Sequence, residues 1–218
     1  MKYKTILWDI DGTLLNFEMS EKISMEKCLE KHGVSMTEAQ FEEYKKINKE
    51  CWKMIEKDHS RRNELMVKRF VDFFALLNVS IDYQEALGTY YCLNEFALEA
   101  ILALKPHCKQ YAASNGSKVA QLGKLKGTGL YDLFDDIFIS EDVGYEKPDL
   151  TYFNYIKEKT HYDPDTTIII GDSLTSDIKG GENAGIDTCY FNPAHQKNTS
   201  QAVTYEIDKL IEVLDIVK

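Results

Sequence analysis

The chain has 218 residues, 44% of them hydrophobic and 28% charged, and 26 Lys and Arg against 36 Asp and Glu give a formal net charge of −10. That composition is globular and excludes extended disorder, and the length suits one domain with a substantial insertion or two small domains. So acidic a balance argues against a nucleic-acid partner, whose phosphates require a basic surface, but leaves room for a small phosphate ester met by a local cluster of donors or a metal.

Thr5 to Ile10 reads as a short apolar strand closed by Asp11-Gly12. Four helical stretches follow near 19–33, 37–58, 61–77 and 82–104, and in the third Met66, Phe70, Phe73, Phe74 and Leu77 fall on one face. After Pro106 strands near 108–113, 137–139, 167–171 and 188–191 alternate with helices near 117–126, 149–159, 174–184 and 208–217. Gly180-Gly181 and Gly185 read as punctuation at a helix end. This alternation predicts an α/β fold with a mainly parallel, Rossmann-like sheet covered on both faces.

One interval is out of proportion, because a strand–helix–strand crossover takes about 30 residues and the first strand is followed by roughly 100 before the next. The surplus, 16–92, is expected to form an inserted all-helical cap, leaving 1–15 and 93–218 as the core. Sites of open parallel sheets lie at the strands' carboxyl ends, so a cap leaving just after strand one is expected over such a site. The five cysteines (Cys28, Cys51, Cys92, Cys108, Cys189) show no CxxC pair, which points to free thiols in a reducing compartment. The five histidines are scattered and suggest no transition-metal site. The start has too few apolar residues for a signal peptide, and no run approaches the roughly 20 of a membrane span. A cytoplasmic protein with no membrane partner is expected.

Four groups fall at strand ends. In Asp9-Ile10-Asp11-Gly12-Thr13 the two carboxylates, two residues apart, share a face, as a nucleophile paired with a general acid would; Gly12 leaves room for a backbone N–H to approach an anion, and an acidic turn with a Thr cap is the plainer reading. Ser114-Asn115-Gly116 offers a hydroxyl and backbone N–H groups to an anion, or simply caps a helix. Lys147 precedes Pro148, which suits a first helical position, so its ammonium either screens a phosphoryl group or stands in solvent. Asp172 and Asp177 follow the apolar strand 166–170, where they could hold Mg²⁺ or serve as a cap and a first-turn acid. Together Asp9, Asp11, Asp172 and Asp177 would make a dense acidic site, relieved by Lys147, that would repel a phosphate without a divalent ion and bind it with one.

In this order the residues resemble the haloacid dehalogenase superfamily, with its DxDGT, Ser/Thr, Lys and GDxxxxD-type motifs, over essentially the whole chain. The resemblance implies a core of strand order 5-4-1-2-3 with a helical cap between the first two motifs. It implies that Asp9 is the nucleophile that becomes an aspartyl-phosphate and that Asp11 protonates the leaving group and then activates water. Gly12, Ser114, Asn115 and Lys147 would surround the phosphoryl group. Mg²⁺ would be held by Asp9, the carbonyl of Asp11 and Asp172, with Asp177 supporting Lys147 or the metal. The superfamily's true dehalogenases lack an acid at the position of Asp11, so its presence favours phosphate chemistry.

On the second cap helix Asn48 falls on the apolar stripe of Phe41, Tyr44, Cys51 and Ile55, with Trp52 one turn on. An amide beside an indole could read and stack a nucleobase; an internal partner for Asn48 and a core place for Trp52 are the alternatives. The stretch 48–52 and the segment 180–192 resemble pyrimidine 5′-nucleotidases of this superfamily, although Tyr190 stands where Trp is common and Asn94-Glu95-Phe96-Ala97 replaces the usual Pro-Gly turn. A nucleoside 5′-monophosphatase preferring pyrimidines, monomeric or homodimeric, is the expectation; a sugar-phosphate or phosphoglycolate phosphatase and a sugar phosphomutase are the other readings.

Overall fold

The structure is a computed structural model that describes residues 1–81, 90–198 and 202–218. It divides into two compact units, Met1–Phe17 with Tyr91–Lys218, and Glu18–Tyr90. Among the described residues no helix is long and apolar enough to cross a membrane.

The first unit is built on a six-stranded sheet. Its strands are β1 (Thr5–Trp8), β2 (Lys109–Ser114), β3 (Asp136–Ile139), β4 (Thr167–Gly171), β5 (Asp187–Phe191) and β6 (Tyr205–Ile207). The order is β3-β2-β1-β4-β5-β6 and every pair is parallel, which is the expected α/β architecture with one more strand. The three residues of β6 are too few to show a period, so no sequence pattern announces them. β1 is buried throughout and apolar from Ile6 to Trp8, as a strand covered on both faces must be. Ile6 and Trp8 lie with Ala97, Ala100, Ile101 and Leu104 on one side, and Leu7 lies with Tyr152, Phe153 and Ile156 on the other. The helices carrying these residues are α4 (Ala97–Leu104) and α7 (Leu150–Thr160), the latter preceded by the four-residue α6 (Ser140–Val143).

Three expectations need correction here. The first strand ends at Trp8, because Leu15 N–H donates to the Ile10 carbonyl at 2.8 Å and closes a tight loop at once. The helix expected over 82–104 is helical only at Ala97–Leu104 in its described part; 82–89 lie outside the described residues. Leu93 instead bridges to Leu15, and Asn94 donates from its side chain to the carbonyls of Thr13 (2.7 Å) and Gly12 (3.1 Å). That side chain binds the returning chain to the loop after β1, at the place where a Pro-Gly turn is usual. Gly180-Gly181 are not a turn either: they sit within α8 (Lys179–Ala184), where a Cβ on Gly180 would come within 2.5 Å of the Phe153 ring and one on Gly181 within 2.5 Å of the Thr188 methyl. They let the helix pack close, and Gly185 at φ +67° ends it.

The second unit carries α1 (Phe17–Lys31, from its second residue), α2 (Glu38–Lys57) and α3 (Arg62–Leu76). Thr37 and Gln40 close a capping box at the start of α2. Its core is Met25, Cys28, Leu29, Phe41, Tyr44, Phe70, Phe73 and Phe74, so the aromatic face of α3 points where its period places it. Within this core Arg69 is 1% exposed. Its guanidinium pairs with Glu21 at 3.0 Å and donates to Asn48 Oδ1 at 2.7 Å, while Tyr44 OH donates to Glu21 at 2.5 Å. Removing one partner of a buried pair strands the other charge, so Arg69→Ala is expected to destabilise the protein by about 3–5 kcal/mol, seen as a lower urea midpoint. A loss under about 1 kcal/mol would mean that the pair behaves as a surface pair.

Candidate active site

The sheet order reverses at β1, whose neighbours are β2 on one side and β4 on the other. Beyond the carboxyl ends of these strands lies the crevice where open sheets bind ligands. Asp9 follows β1, Asn115 follows β2 and Asp172 follows β4. The fold therefore delivers three separate stretches of sequence to one place.

Asp9, Asp172 and Asp177 each present a carboxylate oxygen, and these atoms lie within 4.8 Å of one another. Asp9 and Asp177 are buried, while Asp172 opens to solvent. Lys147, 3% exposed, stands among them: its Nζ donates to Asp9 Oδ1 (2.7 Å), Asp177 Oδ1 (2.6 Å) and the Ala113 carbonyl (2.6 Å). An ammonium has three protons, and all are committed. Burial works against its charge, but the Asp177 and Asp9 carboxylates outweigh that and raise its pKa. Burial, then the Asp177 charge, push Asp9 up to about 7 despite Lys147. Packing around the carboxyl of Asp172, then the Asp9 and Asp177 charges, hold it well above the usual carboxylate range. Three hard oxygen donors that crowd and repel one another in this way fit a small divalent cation, which would relieve the repulsion. Asp177 fits least well as a direct ligand, since its Oδ2 also accepts from Ser173 N–H at 3.2 Å.

The other expected residues fall in the same region with altered roles. Pro148 is not the first helical residue: α7 starts at Leu150 with Asp149 as its cap. Lys147 is held instead by Asn115, whose amide accepts from Lys147 N–H and donates to the Lys147 carbonyl, both at 2.8 Å. The Asn115 side chain is thus occupied in placing Lys147. Ser114 is buried, and its Oγ accepts from Gly116 N–H at 3.1 Å, so its own proton is available to a phosphoryl oxygen. Gly12 N–H donates to the Leu15 carbonyl at 2.9 Å rather than facing an anion. What Gly12 supplies is space: at φ +93° a Cβ would come within 2.2 Å of Asp172 Oδ2. Asn48 and Trp52 lie in the second unit, Asn48 on Arg69 and Trp52 against the cluster of Cys51, Ile55 and Leu65.

Sequence reasoning missed three residues. Thr13, fully buried, donates to Asp9 Oδ2 at 3.1 Å and fixes the second oxygen of that carboxylate; its place four residues on in the same motif was the available signal. Gln121 and Lys124 belong to α5 (Lys118–Gly127), and each donates to one oxygen of Asp11 at 2.6 Å. Nothing near them in the sequence announces this.

The arrangement gives one buried carboxylate beside a fixed cation and a second, more accessible one on the adjoining loop. It suits attack on an electropositive atom by the first with proton transfer by the second. A family model for haloacid dehalogenase-like hydrolases matches residues 3–185. The HAD-hydrolase YfnB of Bacillus subtilis is 35% identical over 99% of this chain and 95% of its own. Its crystal structure, bound to magnesium, covers the whole of both chains with a TM-score of 0.90. The pyrimidine 5′-nucleotidase PynA of Streptococcus pneumoniae is 35% identical over 99% of this chain and 95% of its own. The pyrimidine 5′-nucleotidase YjjG of Escherichia coli is 29% identical over 98% and 97%.

Proposed function

The chain belongs to the haloacid dehalogenase-like hydrolases, and from that premise we propose that it is a Mg²⁺-dependent phosphomonoesterase acting on pyrimidine nucleoside 5′-monophosphates. The observation that carries the reading is the pairing of Asp9, fixed by Lys147 and Thr13, with a second carboxylate, Asp11, on the same loop. An Asp9 oxygen attacks phosphorus and the ester P–O bond breaks. Asp11 gives its proton to the departing oxygen. A water molecule then attacks the phosphorus of the aspartyl-phosphate, Asp11 takes the proton from it, and Asp9 is released with inorganic phosphate. Ser114 donates to a phosphoryl oxygen, and Lys147 offsets its charge next to Asp9 and Asp177. Asp9, Asp172 and the Asp11 carbonyl would hold Mg²⁺, which supplies the positive charge without which the carboxylates repel a phosphate.

The nucleotide part rests on PynA and YjjG and on Trp52 and Asn48, which we assign to the base. The test is phosphate release from pyrimidine and purine 5′-monophosphates, phosphoglycolate and sugar phosphates, in Mg²⁺ and in excess chelator. Pyrimidine nucleotides are expected to have the highest kcat/KM, with activity lost to the chelator and restored by Mg²⁺. Full activity in chelator removes the metal from the mechanism, and preference for phosphoglycolate or a sugar phosphate removes the base. A phosphomutase would instead return an isomerised sugar phosphate.

Trp52→Ala is the sharper probe of the base. Losing a stacking partner costs about 1–3 kcal/mol, or about 5- to 150-fold on nucleotides, while p-nitrophenyl phosphate, which has no base, should change little. Equal losses in a folded variant would make Trp52 a packing residue. Asn48→Ala is less clean, because it strips the buried Arg69 of an acceptor.

A further inference from the structure

Asp11 is held by more than its own loop. Gln121 Nε2 donates to its Oδ2 and Lys124 Nζ to its Oδ1, both at 2.6 Å, so neither oxygen turns without breaking a contact. The two donors stand three apart on α5, on one helical face. The surroundings are shaped for this. Gly116 has no side chain, and a Cβ there would fall 1.7 Å from Gln121 Nε2. Gln121 is 1% exposed, and its Oε1 is buried without a hydrogen-bond partner. A buried acceptor left unmade is costly, and the contact that this amide orientation secures is the one to Asp11.

We propose that Gln121 and Lys124 are the positioning residues of Asp11, setting the direction of its carboxylate for proton transfer to and from the substrate. The proposal rests on the reading of Asp11 as general acid and base. A salt bridge that only anchored α5 would affect all substrates alike. A positioning pair affects the steps that need Asp11, and those matter most when the leaving oxygen is a poor one.

The experiment compares Lys124→Ala, Lys124→Arg, Asp11→Asn and the double variant Asp11→Asn/Lys124→Ala on an alkyl phosphate, such as glycerol phosphate, and on p-nitrophenyl phosphate. Lys124→Ala is expected to lose about 10- to 100-fold in kcat/KM on the alkyl ester, a part of the general acid–base factor, and about threefold or less on the aryl ester. Lys124→Arg should recover most of the loss. In the Asp11→Asn background the alanine change should add about twofold at most, because residues that act through one another are not additive. Equal losses on the two esters, no loss, or a full additional loss in the double variant overturns the proposal. If Asp11→Asn discriminates between the esters and Lys124→Ala does not, this proposal alone fails; if Asp11→Asn does not discriminate, the role of Asp11 fails and takes the proposal with it. Melting temperatures accompany each variant, and Gln121→Leu, which removes the other donor, repeats the test should Lys124→Ala not fold.

Discussion

Asp9→Asn is expected to end turnover on every phosphate ester, a loss on the order of 10⁶-fold, the scale seen when an enzyme loses its nucleophile. An amide cannot form the acyl-phosphate. Its one oxygen can still accept from Lys147 Nζ, and its NH2 can donate to Thr13 Oγ1, which donates to the second oxygen of Asp9 in the native protein, so the site should keep its shape. The same variant should gain stability when metal is absent. Burial and the Asp177 charge raise Asp9 from 3.8 to about 7 in the folded protein. A carboxyl with a raised folded value binds its proton more tightly in the folded state, so stability falls as pH rises through that interval. Above it the ionised Asp9 is a net cost that the amide lacks. The check is phosphate release in Mg²⁺ beside thermal melting at pH 8 in chelator, each made on both proteins. Retained turnover would remove Asp9 as nucleophile, and an unchanged or lower melting temperature would mean that the carboxylates repel each other less than their burial implies.

Asp11→Asn should have the next largest effect and differ in kind. The nucleophile survives, so the loss is that of general acid–base help, roughly 10²–10⁴-fold on nucleotides and alkyl phosphates. p-Nitrophenolate leaves without protonation, so formation of the aspartyl-phosphate from p-nitrophenyl phosphate should be nearly normal while its hydrolysis is slowed. A burst of p-nitrophenolate followed by slow turnover is the expected trace. The introduced amide can still accept at its one oxygen, but its nitrogen meets either Gln121 or Lys124, each of which now donates to Asp11. Equal losses on good and poor leaving groups would contradict the role of Asp11.

The sequence alone determined that the sheet is mainly parallel and which strand ends carry Asp9, Ser114 and Asp172, while the order of its strands was implied by the family resemblance. That information is local: a buried parallel strand is an unbroken apolar run, and the polar residue that ends it marks the carboxyl end where such sheets place their chemistry. The short β6 escaped because three residues carry no period. The helix over 82–104 was overextended because the pairing of Leu93 with Leu15 and the Asn94 contacts to the first loop join residues far apart in the chain. What only the tertiary structure decided is which groups meet. Asn115 turned out to serve Lys147, Asn48 to accept from Arg69, and Gln121 and Lys124 to hold Asp11 from 110 and 113 residues away. A hydrogen bond is made at under about 3.5 Å, and at that range side-chain identity is set by the packing of elements whose order in space the local pattern does not contain.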